Sequence, residues 1–194
     1  MAQSVSPISA TRSEEIIVSL SQAAAAMQTM QCRFVQQKTS SMLAEPTIAE
    51  GTMAYVAPDK MRWEYGKPYA FALIVNGDNI IRKADGKSEI VDAKSNRMYQ
   101  GIVSIIMGSA SGRKLFDKSM FDVLLFDEGG FWRAEMSPLK RDMKRMFSQL
   151  VFRFDKKTGI ISRVEFLEAG GDVTSIRFED VKIDATVEDS VFME

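Results

Sequence analysis

Apolar and charged residues alternate strictly in the sequence KMRWEY at residues 60–65. Side chains two apart on a β-strand project to the same face, so this pattern predicts a strand with one apolar and one charged side. Similar apolar runs fill the stretch from 51 to 82, and turn signals separate them at 58–59, 66–68 and 76–78. Asn76-Gly77 is a strong hairpin signal, and Asp85-Gly86 repeats it, so the stretch is predicted to be a β-meander.

Strand signals return in the second half of the chain. The runs at 120–128 and 131–137 are separated by Gly129-Gly130, and a second meander is predicted over 148–183. The chain is therefore expected to form one mainly antiparallel sheet of about ten strands, with an α+β fold. An open sheet of that length tends to curl, and helices can fill its concave side.

Helical spacing follows the first ten residues, which are predicted to form a loose arm of a single domain spanning residues 1–194. Thr11 and Glu14 fit a capping box at the start of a long amphipathic helix. Its apolar stripe contains Ile16, Ile17, Leu20, Ala23, Ala24, Met27 and Met30. Residues 100–116 form a second apolar segment, for which two interpretations remain open: a short buried helix, or a movable cover.

Composition excludes several classes of function. The chain has 25 basic and 26 acidic residues, so it offers no broad field for nucleic acid. It has no histidine, and Cys32 is its only cysteine, which excludes imidazole catalysis and Cys- or His-based metal sites. No cofactor or metal is expected, because glycines and acidic residues follow neither phosphate-loop nor calcium-loop spacing.

Two further features limit the alternatives. No apolar run approaches the ~20 residues that span a bilayer, and the N-terminus lacks the features of a secretory signal, so the protein is either cytosolic or has lost a signal peptide. Acidic pairs occur at 127–128, 179–180 and 188–189. A hydrolase that uses two such carboxylates on a curved sheet is therefore an alternative function.

Several short motifs, in order, resemble the periplasmic outer-membrane lipoprotein carrier family, LolA. The first group is Phe34, Gln36, Gly51, the 60–65 strand, Pro68 and Val75-Asn76-Gly77; the second is Ser137-Pro138, Phe154-Asp155, Gly159-Ile160, Asp172, Thr174, Phe178 and Phe192. The resemblance implies an unclosed half-barrel sheet with a helical lid over an apolar cavity. It also implies a monomeric, non-enzymatic periplasmic carrier whose signal peptide has been removed.

The resemblance also implies a cargo and two partners. The family takes an acylated lipoprotein from an inner-membrane exporter, shields its acyl chains and delivers it to an outer-membrane acceptor. A lipid sensor or an acceptor of the same fold is an alternative. One position departs from the family: members carry an arginine that latches the lid before the proline of the tryptophan strand, whereas this chain has Ala57.

Strand alternation then assigns a lipid-binding cavity. From the sheet it includes Met53, Tyr55, Met61, Trp63, Tyr65, Phe71, Leu73 and Val75; from the lid it includes Ile102, Ile105, Ile106, Leu115 and Phe116. The 13 methionines suit an adaptable apolar lining. Four cations near one turn are either a solvated surface or a docking patch for an acidic partner: Lys140, Arg141, Lys144 and Arg145.

Overall fold

The computed structural model describes residues 6–77, 79–91 and 115–193, and these build one antiparallel sheet of eleven strands. The strands of the first half are β1 (Thr29–Thr39), β2 (Thr47–Val56), β3 (Lys60–Lys67), β4 (Phe71–Asn76), β5 (Asn79–Ala84) and β6 (Lys87–Val91). Those of the second half are β7 (Phe121–Glu128), β8 (Phe131–Pro138), β9 (Phe147–Asp155), β10 (Ile161–Glu168) and β11 (Val173–Ile183).

The two meanders join through the first and last strands of the chain. The order in the sheet is β6-β5-β4-β3-β2-β1-β11-β10-β9-β8-β7, so β1 pairs with β11 and the sheet ends at β6 and β7. Because these two edge strands are not paired with each other, the sheet is unclosed. The predicted mainly antiparallel sheet of about ten strands, with its N-terminal helix, is confirmed.

Directly opposed residues show which side chains share a face. One row crosses six adjacent strands, and its members all lie on the concave side: Cys32, Met53, Trp63, Leu73, Arg82 and Glu89. Most of the concave residues are buried, and they form one continuous apolar core that includes helix residues Ile16 and Leu20.

Helix α1 (Ala10–Ala26) covers part of this concave face. The predicted capping box is wrong: the N-cap residue is Ser9, which makes no side-chain cap, and Glu14 instead accepts a hydrogen bond from Lys118 Nζ at 2.7 Å. The predicted apolar stripe also ran too far, because Met30 belongs to β1. Ile8, within the predicted N-terminal arm, donates its backbone N–H to the Leu125 carbonyl at 2.8 Å and so meets the edge strand β7.

The two faces differ in chemistry. The convex side of the second half carries a network of ion pairs within and between strands β7 to β10, made by Glu128, Arg133, Glu135, Arg153, Arg163 and Glu165. Charged groups that stay hydrated suit a solvent-facing surface, whereas the concave face is apolar. The apolar surface of the sheet is therefore concentrated on its concave face.

The C-terminal segment covers the convex side of the first half. It passes over β1, where Thr29 Oγ1 donates to the Ala185 carbonyl at 2.6 Å, and reaches β3, where Arg62 Nη1 donates to the Val191 carbonyl at 3.2 Å. A short 3-10 helix (Asp189–Phe192) then buries Phe192. This segment lets apolar residues such as Ile74 face outward on β4 and remain buried.

Two further findings bear on function. Within the described residues, no helix is both long enough and apolar enough to span a membrane. Most of the predicted mid-chain lid, including Ile102, Ile105 and Ile106, lies outside the described residues; only its end, Leu115 and Phe116, is described.

Gly51 on β2 gives a first testable prediction, because a side chain there has no room. A Cβ at this position would lie 2.1 Å from the Glu64 carbonyl oxygen and 2.4 Å from Cζ of the Phe34 ring. We expect Gly51→Ala to lower the free energy of unfolding by about 3 kcal/mol, measured by urea denaturation, since such overlap forces the strands apart.

Gly66→Ala on the neighbouring strand is the matched control, because nothing lies within 4 Å of its Cβ position. We expect it to change the free energy of unfolding by less than about 0.5 kcal/mol. Equal effects of the two substitutions would contradict the close packing of Phe34 over Gly51.

Candidate functional site

The described residues enclose an apolar cavity between α1 and the concave face. It is lined by Leu20, Ser21, Ala24, Met27, Met30, Met53, Leu115, Phe116, Phe154, Gly159, Ile160, Ile161 and Phe178. Helix α1 thus forms the roof, β1, β2, β9, β10 and β11 form the floor, and Leu115 and Phe116 close one side. Ser21 is the only lining residue with a polar side chain, so the cavity favours hydrocarbon.

The cavity is small. Its volume is about 30 Å³, which is room for one or two water molecules. Pockets that hold small molecules usually measure about 300–1,000 Å³. The cavity between α1 and the sheet is therefore too small for an acyl chain in this conformation.

The turn between β9 and β10 brings α1 close to the sheet. Gly159 has a φ of 72°, and a Cβ there would lie 2.8 Å from Cβ of Ala23, so glycine permits both the turn and the approach. The Asp155 carboxylate shapes this turn by accepting the backbone N–H groups of Lys157 and Thr158, each at 2.9 Å. These donors, above all Thr158, hold the pKa of Asp155 below its ordinary value.

All eight sheet residues predicted for the cavity lie on the concave face. Six are buried, namely Met53, Tyr55, Met61, Trp63, Leu73 and Val75, and the other two, Tyr65 and Phe71, are partly buried in the same core. Leu115 is buried and Phe116 packs against Phe154, with ring centroids 5.7 Å apart. That these residues bind lipid stays a prediction.

An aromatic group lies on the concave face beside the cavity. Phe34 and Trp63 stack with ring centroids 4.0 Å apart, and Tyr65 meets the edge of Phe34 at 5.1 Å. The Tyr65 hydroxyl donates a hydrogen bond of 2.7 Å to Gln36 Oε1. This side of the face is therefore large and apolar, with polar tips toward one end of the strands.

Two single residues complete the concave side. Cys32 is buried opposite Met53, and burial raises the pKa of its thiol to about 12, so it is a packing residue rather than a nucleophile. Ala57, at the position of the family's latch arginine, packs its methyl group on the core and donates its N–H to the Gln28 carbonyl at 2.8 Å. Its side chain therefore offers no charge to latch a lid.

A family model described as "Outer membrane lipoprotein carrier protein LolA" matches residues 25–193. The chain belongs to the LolA family. It is a lipoprotein carrier of the periplasm, and carriers of this family are not enzymes. A curated relative from Methylobacillus flagellatus, an outer-membrane lipoprotein carrier protein, is 24% identical over 164 residues, which cover 84% of this chain and 76% of that protein.

Solved structures share the fold. An uncharacterised conserved protein from Thermus thermophilus has a TM-score of 0.59 at 11% identity, covering 94% of this chain and 93% of that chain. Lipoprotein LppX from Mycobacterium tuberculosis has a TM-score of 0.52 at 12% identity, covering 93% and 99%. At these identities the likeness shows the architecture alone.

The acidic pairs that prompted the hydrolase alternative do not converge in this LolA-family chain. Asp127 pairs with Lys156, Glu179 with Arg177, and Asp189 with Lys60. These carboxylates are held by separate cations near the end of β7, within β11 and in the 3-10 helix, which is typical of structural ion pairs. Among the described residues, no group of three or more metal-ligating side chains was found.

Of the eight predicted sheet residues only Met53 lines this cavity, and sequence reasoning missed most of the lining. Phe154 and Phe178 line it from β9 and β11, Leu20 and Ala24 line it from α1, and Met27 lines it just after the helix ends. The signals were present, since Phe152 and Phe154 alternate with charged neighbours and the helix residues follow helical spacing. Neither pattern shows which face of the second meander meets the helix.

The four predicted docking cations lie at one end of the sheet. Lys140 precedes helix α2 (Arg141–Lys144), and Arg145 follows it. All four are exposed, and in the described part of the chain only Arg145 has an ion-pair partner, Asp142, at 4.0 Å. The group is thus available for another molecule.

A larger cleft lies on the opposite, convex face, between the C-terminal segment and strands β1 to β3. Its volume is about 920 Å³, and its lining includes Arg33, Arg62, Glu64, Asp180 and Lys182. Charged walls of this kind retain water. The cleft is therefore a poor site for acyl chains despite its size.

Proposed function

We propose that this chain takes an acylated lipoprotein from an inner-membrane exporter, holds its acyl chains on the concave face beneath α1, and passes it to an outer-membrane acceptor. The observation that carries the proposal is the continuous apolar concave face, part of which α1 covers so closely that a cavity of only about 30 Å³ remains beneath the helix. A carrier needs such a surface to be covered by the protein when it is empty and to be available to the acyl chains when cargo binds.

Magnitudes favour this exchange. Lifting α1 uncovers Ile16, Leu20 and Met27, at a cost of roughly 5–9 kcal/mol in total if each contributes about 1.5–3 kcal/mol. One acyl chain of about fifteen methylenes gains on the order of 12 kcal/mol when it leaves water. Cargo with several chains therefore displaces the helix, and an empty carrier closes again.

Release follows from the same balance. Because the concave face binds hydrocarbon without many polar contacts, an acceptor removes cargo when it offers a better apolar site. The return of α1 to the sheet then contributes to unloading. The predicted lid residues Ile102, Ile105 and Ile106 would add to the apolar surface of the loaded state.

Ala24 tests the cavity directly. Ala24 faces the cavity from α1, whereas Ala25 on the same helix is exposed. We expect Ala24→Asp to weaken binding of a fluorescent triacylated lipopeptide at least about tenfold, since a carboxylate against hydrocarbon is costly. Fluorescence titration gives the affinity, and circular dichroism verifies that the variant is folded.

Ala25→Asp is the matched control and should bind like the unsubstituted protein. If the unsubstituted protein binds no acylated probe, the carrier mechanism proposed for the concave face is wrong. If both variants bind equally well, the acyl chains lie elsewhere.

We further propose that the exposed cations at 140–145 dock an acidic surface of the exporter or the acceptor. Three of them have no carboxylate partner in the described residues, so their charge remains available at long range. Charge complementarity of this kind mainly accelerates association.

The triple variant Lys140→Glu, Arg141→Glu, Lys144→Glu should lower the association rate with the partner roughly tenfold at low salt. High salt should remove most of the difference, because it screens exposed charges. Surface plasmon resonance measures both. The charge-matched control on other surfaces is the triple variant Lys87→Glu, Lys157→Glu, Lys182→Glu. If it lowers the association rate equally, the effect comes from net charge and not from a docking patch.

A further inference from the structure

Arg82 is an unusual residue for an apolar wall. On β5 it lies directly opposite Leu73, which lies opposite Trp63, so the register places it on the concave face. Among the described strands it is the only lysine or arginine on this face that is not at or next to a strand end. The other concave positions of β5, Ile80 and Ala84, are apolar.

The Arg82 guanidinium has unused donors. Its Nη1 donates to Glu89 Oε2 at 3.1 Å, and its central carbon lies 6.0 Å from the centroid of the Phe71 ring. Its Nε is buried, and no hydrogen-bond partner was found for it among the described residues. Since a guanidinium has five N–H groups in a fixed fork, Arg82 can donate to a further oxygen acceptor.

Beside Phe71, a series of aromatic residues becomes progressively more exposed to solvent. Trp63 is 5% exposed, Tyr65 is intermediate, and Tyr69 in the following turn is 54% exposed. The ring centroids of Tyr65 and Tyr69 are 5.8 Å apart, and those of Tyr65 and Phe71 are 6.0 Å apart. Tyrosines with an apolar body and a polar tip suit a boundary between hydrocarbon and water.

The position of the ion pair also needs an explanation. Residues on β5 alternate between faces, so a cross-strand Arg–Glu pair would join β5 to β6 equally well on the convex side, where Lys83 already lies. On the concave side the Glu89 side chain is 67% exposed, whereas Arg82 Nε is buried. A buried donor without an acceptor is costly, and a bound ligand oxygen would satisfy it.

We propose that Arg82 binds the carbonyl oxygens of acyl cargo while the hydrocarbon lies over Phe71 and Trp63. This inference rests on the proposed function and adds a polar contact to a face otherwise selective only for hydrocarbon. The recognised chemistry is an acyl oxygen, either the ester of a lipid-modified protein or the carboxylate of a free fatty acid.

Three probes with the same pyrene label separate these sources: hexadecanoic acid, its methyl ester and a plain alkane. We expect Arg82→Met to weaken binding of the acid about tenfold and of the ester about threefold, because charged partners make stronger hydrogen bonds than neutral ones. Alkane affinity should stay unchanged, since methionine preserves the apolar contact. Glu89→Gln should tighten binding of the acid by removing a competing carboxylate.

Lys83→Met on the same strand, facing the convex side, is the matched control and should leave all three affinities unchanged. Loss for both the acid and the ester supports recognition of esterified cargo, and loss for the acid alone supports recognition of free fatty acid. If Arg82→Met binds all three probes like Lys83→Met, or loses the alkane as much as the acid, Arg82 has no such role. Failure of the unsubstituted protein to bind any probe would instead contradict the proposed function.

Discussion

In the mechanism that we propose, helix α1 and the acyl cargo compete for one apolar surface, the concave face of the sheet. The concave face of the sheet must be covered in water, and the α1 segment covers part of it through Ile16, Leu20 and Met27. The small residues Ala23, Ala24 and Gly159 let the helix come close enough to leave about 30 Å³. The proposed hydrocarbon cargo needs the same surface, so in this mechanism loading and closure exclude each other.

The convex side of the sheet is held by contacts of its own. Ion pairs link neighbouring strands from β7 to β10, and the C-terminal segment anchors Phe192 over the first half. These contacts do not involve α1, so the helix can leave without disturbing them. In the proposed mechanism, the convex side thus acts as the scaffold and the apolar concave face as the binding surface.

The alternation of Met61, Trp63 and Tyr65 was sufficient to predict the apolar face of β3, because a period of two leaves only one choice of apolar face. The start of α1 and the place of Met30 were not predicted correctly. Met30 fits the helical spacing from Met27 as well as the strand alternation with Cys32 and Phe34. The contribution of Phe154 and Phe178 depends on how a long sheet curls, which is a tertiary property. Ala57 has no charge at the position where the resemblance expects a latch arginine. The concave orientation of Arg82 on β5 follows from the strand register, and the sequence pattern did not single this residue out.

The central claim is that α1 moves away from the sheet when acyl cargo binds. Spin labels at Ala25→Cys on the exposed side of α1 and Arg163→Cys on the convex side of β10, with Cys32→Ala, report that distance by pulsed electron paramagnetic resonance. The account predicts a shift to longer distances on saturation with a triacylated lipopeptide, reversed when the lipopeptide is removed. Bound lipopeptide with an unchanged distance distribution would contradict it.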